Sequence, residues 1–167
     1  MRGRAALVIG VTVLFAVLIQ TTLFGRLRIV TPDLVVLIGI LLSLTRIRPE
    51  AVLGVSFIAG LIVDLLGASL LGLRAIVYTV VAYTAIRTKE RAELGRVTIA
   101  IWAGVLTFVG VVLVILIGTL FGQVSVLGEN AASRMILVPL ANIAVAGLLA
   151  PTFVRIVDRD RTALRYP

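Results

Sequence analysis

Residues 97–121 have the sequence VTIAIWAGVLTFVGVVLVILIGTLF, 25 residues without one charged side chain. A helix rises about 1.5 Å per residue, so this run can cross the roughly 30 Å hydrocarbon core of a bilayer. The whole chain is similarly apolar, with 60% hydrophobic and 14% charged residues. Because soluble domains carry roughly 25% charged residues, the composition predicts an integral membrane protein.

Five other apolar blocks accompany this run, and together they predict an all-α integral membrane protein, a six-transmembrane-helix bundle in one domain, residues 1–157. Spans are expected at about 5–24, 31–45, 51–66, 71–86, 97–121 and 135–157, followed by a cytoplasmic tail at 158–167. The second, third and fourth spans are short, which burial in the bundle, bilayer thinning or a re-entrant element at Gly67–Gly72 would each explain. Pro139 and Pro151 predict kinks in the sixth helix more than ends.

The basic residues predict the orientation. With the N-terminus inside, 12 of the 16 Lys and Arg residues face the cytoplasm and four face outward. This bias follows the positive-inside rule and places both termini in the cytoplasm. The net charge of +8 is therefore assigned to topology and anionic lipids, and nucleic-acid binding is not expected. The first block, Ala5–Phe24, is too long for a signal-peptide core and is expected to be retained.

Enzyme chemistry has little support in the composition. The chain has no Cys and no His, which excludes thiolate nucleophiles, imidazole bases and the usual zinc and haem ligands. Within the apolar blocks it also lacks short-spaced carboxylate pairs, and the common hydrolase motifs are absent. We therefore expect no enzyme activity, no catalytic residues, no cofactor and no metal.

Asp64 is the clearest intramembrane acid, within GLIVDLLG at residues 60–67. Insertion of Asp near the centre of a membrane helix costs roughly 2.5–3.5 kcal/mol, so the side chain needs a partner, water or a function. Asp64 could lie in headgroup water or cap the break at residues 67–69. Alternatively, it could pair with Arg74 across an antiparallel connection.

Other polar residues lie within or beside the apolar blocks. Pro32 fits the first turn of the second span, and Asp33 beside it favours the positive end of the helix dipole. Gln20 and Asn142 are expected to hydrogen-bond across helices, and the glycine pair at 118 and 122 could allow close helix packing. Three aromatic residues are expected at the membrane interface or in packing: Tyr78, Tyr83 and Trp102.

Four segments carry a family resemblance. They are LIQTTLF at 18–24, TPDL at 31–34, Gly54-x5-Gly60-Leu-x-x-Asp64-Leu-Leu, and LLGLR at 70–74 followed by Tyr78. In order and spacing these segments resemble the rod shape-determining protein MreD family. The resemblance is strongest from Leu18 to Tyr83, and Arg74 departs from the small polar residue expected at its position.

The resemblance implies a non-enzymatic, multi-pass scaffold of the bacterial plasma (inner) membrane, needed for rod shape and lateral peptidoglycan synthesis. The implied partners are MreC, through it the MreB filament and the glycan polymerase–transpeptidase pair of wall elongation, and membrane lipids. The implied fold is similar to the substrate-binding subunits of energy-coupling-factor transporters. An alternative function is therefore substrate capture for vitamin uptake, but the short outer loops and 6% aromatic content favour the scaffold.

The mechanism that we expect is docking of partner transmembrane helices against faces rich in Gly and Ala. The segment Gly60–Gly72 is the candidate contact. Candidate interface or structural residues are Pro32, Asp33, Gly60, Asp64, Gly72 and Arg74.

Overall fold

The computed structural model describes residues 2–23, 31–67, 70–89, 95–123 and 131–162, which form helices joined by short turns, with no β-strand among them. The helices are α1 (Arg2–Leu18), continued by a π-helical turn (Ile19–Leu23), α2 (Leu34–Ser43), α3 (Pro49–Leu66), α4 (Leu73–Thr88), α5 (Arg96–Leu120) and α6 (Ala131–Thr162). Each helix overlaps one of the six apolar blocks, and α6 continues past residue 157 into the segment that was expected to be a tail. The all-helical prediction is therefore confirmed.

Among the residues that the structure describes, three helical segments are long and apolar enough to cross a membrane: Pro49–Leu66, Arg96–Leu120 and Ala131–Val157. Two shorter apolar segments are Leu7–Thr22 and Leu34–Ser43. These findings are consistent with a multi-pass membrane protein, while crossing by all six helices stays a prediction. Both prolines of α6 lie inside the helix, so neither ends it, as expected.

Successive helices from α2 to α6 pack as antiparallel pairs. The end of α3 meets the start of α4, where the Asp64 carboxylate accepts a hydrogen bond from the Arg74 backbone N–H at 2.9 Å. The end of α4 meets the start of α5, where Trp102 Nε1 donates to Thr88 Oγ1 at 3.0 Å. Consequently, the α2–α3 and α4–α5 connections share one end of the bundle, and the α3–α4 connection lies at the other end.

Helix α2 lies in the middle of the bundle and contacts all five other helices. Eight of its ten residues are buried. A helix that is apolar on every side is typical of such a central position. At 1.5 Å per residue, α2 is roughly 15 Å long, about half of a hydrocarbon core. Its enclosure by the other helices explains how a short apolar helix is accommodated here.

Glycines allow two helix pairs to approach closely. A Cβ atom on Gly60 would lie 2.6 Å from Ala75 Cα of α4, and one on Gly104 would overlap Ile143 Cγ1 of α6. The sequence suggested that Gly118 and Gly122 could allow close helix packing, but Gly122 lies outside α5. That residue follows the end of α5 with φ +77° and belongs to a turn, because the left-handed conformation favours glycine.

Candidate functional site

Asp33 begins α2. It occupies the N-cap, with φ −87° and ψ 86°, and its Oδ1 accepts a hydrogen bond from the Val36 backbone N–H at 3.2 Å. An N-cap carboxylate satisfies one of the free N–H groups of the first turn. The expected first-turn position of Pro32 was therefore wrong, because the cap has non-helical dihedral angles and α2 starts at Leu34.

The Asp33 carboxylate also binds two other parts of the chain. Its Oδ1 accepts a hydrogen bond from Gln20 Nε2 at 3.0 Å, and its Oδ2 accepts one from the Tyr78 hydroxyl at 2.8 Å. Gln20 lies in the π-helical turn, and its Oε1 accepts a hydrogen bond from the Val35 backbone N–H at 3.2 Å. One amide side chain thus holds the end of α1 against the first turn of α2.

The Asp33 backbone carbonyl extends the contacts to α6 and α5. It accepts a hydrogen bond from Asn142 Nδ2 at 3.1 Å, and the same amide group donates to Thr107 Oγ1 at 3.0 Å. The Thr107 hydroxyl donates to the Ala103 carbonyl at 2.8 Å. Asn142 and Thr107 are 0% and 1% exposed. The expected hydrogen bonding of Gln20 and Asn142 across helices is confirmed.

We call these five residues, Gln20, Asp33, Tyr78, Thr107 and Asn142, the Asp33 cluster. They join α2, α4, α5, α6 and the π-helical turn after α1. Thr107 lies 11 residues after the first residue of α5 and 13 before the last, close to the helix midpoint. From the sequence, Asp33 was expected at the outer start of a span. Its contacts instead place it level with the midpoint of α5, because α2 is short and starts inside the bundle.

Asp64 caps α4 from the neighbouring helix. It is 2% exposed, and its Oδ2 accepts hydrogen bonds from the backbone N–H groups of Arg74 at 2.9 Å and Ala75 at 3.3 Å. Gly72, the N-cap residue of α4, has no side chain to do this. The alternative that the Asp64 side chain lies in headgroup water was wrong, because the side chain is buried. The observed contact with Arg74 runs through its backbone N–H.

Gly60 and Gly72 shape the same junction. Gly60 lies one turn before Asp64 on α3, and its hypothetical Cβ would be 2.7 Å from the Arg74 carbonyl oxygen. Gly72 has φ +89°, a left-handed conformation that favours glycine. Gly60 is thus buried where α3 contacts α4, and a partner that docked near this junction would contact the exposed residues around it. Arg74 is half-buried at the first turn of α4.

The arrangement serves hydrogen bonding between helices. The carboxylate of each acid contacts the N-terminal end of a helix, α2 for Asp33 and α4 for Asp64, where N–H donors and the helix dipole stabilise a negative charge. Across the residues that the structure describes, no group of three or more His, Cys, Asp and Glu side chains could hold a metal ion.

The comparison with known families decides the assignment. The family model for the rod shape-determining protein MreD matches residues 1–158, essentially the whole chain. This chain belongs to the MreD family. It therefore has a role in rod shape determination. The match includes the second half of the chain, which the short motifs did not cover.

No curated protein and no solved structure gives a significant match. The expected likeness of this MreD-family chain to the substrate-binding subunits of energy-coupling-factor transporters therefore stays a prediction. MreD proteins form a structural membrane family and are not known as enzymes.

Four members of the Asp33 cluster, all except Asp33, were not candidate site residues in the sequence of this MreD-family chain, although Gln20 and Asn142 were expected to hydrogen-bond across helices. Tyr78 was assigned to the membrane interface or to packing, and it is 3% exposed with its hydroxyl on Asp33. Thr107 was not singled out, although a hydroxyl in the middle of the longest apolar run is a usable signal. Trp102 packs as expected, and Tyr83 is exposed beside Arg87, whose Nε donates to its hydroxyl.

Proposed function

We propose that this chain is a non-enzymatic membrane scaffold of the cell-elongation complex, and that its bundle presents fixed helix faces to partner transmembrane helices. The observation that carries the proposal is the Asp33 cluster. Its polar groups bond mainly to one another and to helix backbones, and so they hold five helices together at the bundle centre. A small-molecule site would instead direct several polar groups into a cavity.

The outer faces of the bundle are the proposed docking surfaces. Large apolar side chains cover them, for example Leu14 on α1, Leu65 on α3, Leu120 on α5 and Leu148 on α6, each more than half exposed. Lipid tails are as apolar as these side chains, so helix association depends on close packing and hydrogen bonds. We assign such docking to MreC, which would connect the chain indirectly to the MreB filament and to the glycan polymerase–transpeptidase pair.

The distribution of basic residues supports an inner-membrane location with both termini in the cytoplasm. Arg48 precedes α3, Lys89 follows α4 and Arg96 begins α5. The antiparallel packing puts these three residues at the same end of the bundle. A shared basic end is what the positive-inside rule requires of the cytoplasmic side.

The test is affinity purification of the tagged chain from native membranes, followed by identification of the recovered proteins. We expect MreC and wall-synthesis proteins, with an unrelated tagged multi-pass protein as the control. In the same cells, loss of the gene should abolish rod shape, and the tagged chain should restore it. Recovery of an ATPase–transmembrane transport module in place of MreC would contradict the scaffold proposal.

A further inference from the structure

The last turns of α4 carry two polar side chains on the surface of the bundle. Tyr83 is 48% exposed, and Arg87 is also exposed. Arg87 Nε donates a hydrogen bond to the Tyr83 hydroxyl at 3.1 Å, and the guanidinium carbon lies 5.3 Å from the centroid of the tyrosine ring. A hydrogen bond and a cation–π contact therefore hold the arginine against the ring. We call these two residues the Arg87 pair.

The Arg87 pair presents hydrogen-bond donors without matching acceptors. The Tyr83 hydroxyl accepts from Arg87, so its own hydrogen is left to donate, and no acceptor for it lies among the residues that the structure describes. Within the same ranges, the two terminal amino groups of the Arg87 guanidinium have no acceptor and no acidic partner. A guanidinium beside a hydroxyl suits an anion with several oxygen atoms, because Arg binds phosphate through two parallel hydrogen bonds.

The position of the pair indicates which anion can reach it. Helix α4 has 16 residues, and Arg87 is the second-last of them. With α4 across the membrane, the pair lies near the edge of the hydrocarbon core, where the polar headgroups begin. Ile76 and Val80 are exposed on the same face of α4, at helical spacing before Tyr83. A phospholipid can thus place its phosphate at the pair and an acyl chain along this apolar face.

The charge at this end of the bundle favours an anionic headgroup. Arg48, Lys89 and Arg96 lie at the same end as Arg87, which is the end proposed to be cytoplasmic. Basic residues beside membrane helices on the cytoplasmic side attract anionic lipids. A zwitterionic headgroup carries its own cation, which these residues repel. The surroundings therefore add a preference for net negative charge to the phosphate recognition by the pair.

We propose that the Arg87 pair binds the phosphate of an anionic phospholipid, with Arg87 donating two hydrogen bonds and Tyr83 a third. The inference goes beyond the scaffold function and uses the proposed orientation only to assign the lipid to the cytoplasmic leaflet. A carboxylate of a partner protein is the alternative anion. Lipid phosphate is present at this depth all around the bundle, however, and a partner's carboxylate would have to displace it.

The first experiment uses the single tryptophan as a local probe. The chain has one Trp, Trp102, whose Nε1 donates to Thr88, the residue after Arg87. The purified chain is placed in phosphatidylcholine vesicles that contain the same fraction of a dibrominated lipid, either phosphatidylglycerol or phosphatidylcholine. Bromine quenches nearby indole fluorescence, and we expect a preference of about fivefold for phosphatidylglycerol, the effect of one well-placed basic residue. Equal quenching by the two lipids would overturn the inference.

The second experiment assigns the preference to the pair. Arg87→Gln should lower the preference by about fivefold. Tyr83→Phe keeps the ring but removes the hydrogen bond that orients Arg87, and should lower the preference by about twofold. Arg134→Gln on α6, an exposed arginine at the opposite end of the bundle, is the matched control and should change nothing. Equal effects of Arg87→Gln and Arg134→Gln would overturn the site, and circular dichroism checks that each variant is folded.

Two further measurements identify the source of the anion. Excess inorganic phosphate should leave the preference unchanged, and loss of the preference would show a free-anion site and overturn the lipid assignment. An unchanged lipid preference in Arg87→Gln, together with lower recovery of MreC by this variant, would overturn the inference in favour of a partner's carboxylate. Because the vesicles contain no MreC, a failure of the scaffold proposal would leave the lipid measurement unaffected.

Discussion

Gly60→Ala is expected to separate α3 from α4. The added Cβ would lie 2.6 Å from Ala75 Cα, 2.7 Å from the Arg74 carbonyl oxygen and 2.8 Å from Ala75 N, all of them backbone atoms. Ordinary contact begins near 3.4 Å, so α4 would have to move away by about 0.8 Å. The first turn of α4 cannot relax by a side-chain rotation, because the obstructing atoms belong to the helix backbone.

The expected cost follows from two effects. Overpacking of this kind destabilises by roughly 1–3 kcal/mol. The movement would also lengthen the 3.3 Å hydrogen bond from Ala75 N to Asp64 Oδ2, whose loss costs roughly a further 1 kcal/mol. Alanine regains about 0.5–1 kcal/mol through its better helix propensity. The net expected loss in the free energy of unfolding is about 1–3.5 kcal/mol.

The assay is unfolding of the purified chain in mixed micelles by increasing SDS, followed by circular dichroism. Gly54→Ala is the matched control on the same helix, since its Cβ would meet nothing within 4 Å. We expect this control to be neutral or more stable by up to about 1 kcal/mol. The reasoning is refuted if the two alanine variants have the same stability, because the propensity change is shared and only the packing differs.

Three further substitutions test the polar contacts by the same unfolding measurement. Tyr78→Phe removes the hydroxyl that donates to Asp33 and should lower the free energy of unfolding by roughly 0.6–1.7 kcal/mol. Tyr83→Phe on the exposed face is the control and should lower it by less than about 0.5 kcal/mol. Equal losses in the two variants would argue against the Asp33 cluster. Asp64→Ala leaves two backbone N–H groups of α4 without this acceptor and should lower the free energy of unfolding by roughly 2–4 kcal/mol. Asp64→Asn keeps an acceptor oxygen and should lower it by less than half of that amount. Trp102→Phe removes one hydrogen bond to α4 and should cost roughly 1 kcal/mol; no measurable change would show that the indole N–H does not stabilise the α4–α5 contact.

The positions of the helices could be predicted because strong boundaries separate the apolar blocks. The fifth helix was predicted at 97–121 and is observed at Arg96–Leu120. The bounds agree within one residue because an arginine precedes the apolar run and a glycine follows it. For the second helix, 31–45 compares with Leu34–Ser43. That error arose because a capping acid was counted as part of the helix it precedes.

The packing could not be predicted in the same way. In a soluble helix the apolar face identifies the core, but lipid is also apolar, so both faces of a membrane helix carry similar residues. The partners of the candidate residues are also distant in sequence: Tyr78 lies 45 residues from Asp33, and Asn142 lies 109 residues from it. Asp64 could be identified as unusual because it lies within an apolar run, while the partners of both acids required the arrangement of the helices.

Asp33 and Asp64 solve the same physical problem in two ways. Asp33 caps α2 directly, and Asp64 caps α4 from α3 because Gly72 has no side chain. In both cases a carboxylate satisfies N–H groups in the first turn of a helix, which have no acceptor within that helix. A proton-carrying acid would need a route for proton exchange, whereas these two acids accept hydrogen bonds from fixed helix ends. Their cost in the membrane is therefore offset by helix capping, which favours a role in positioning α2 and α4.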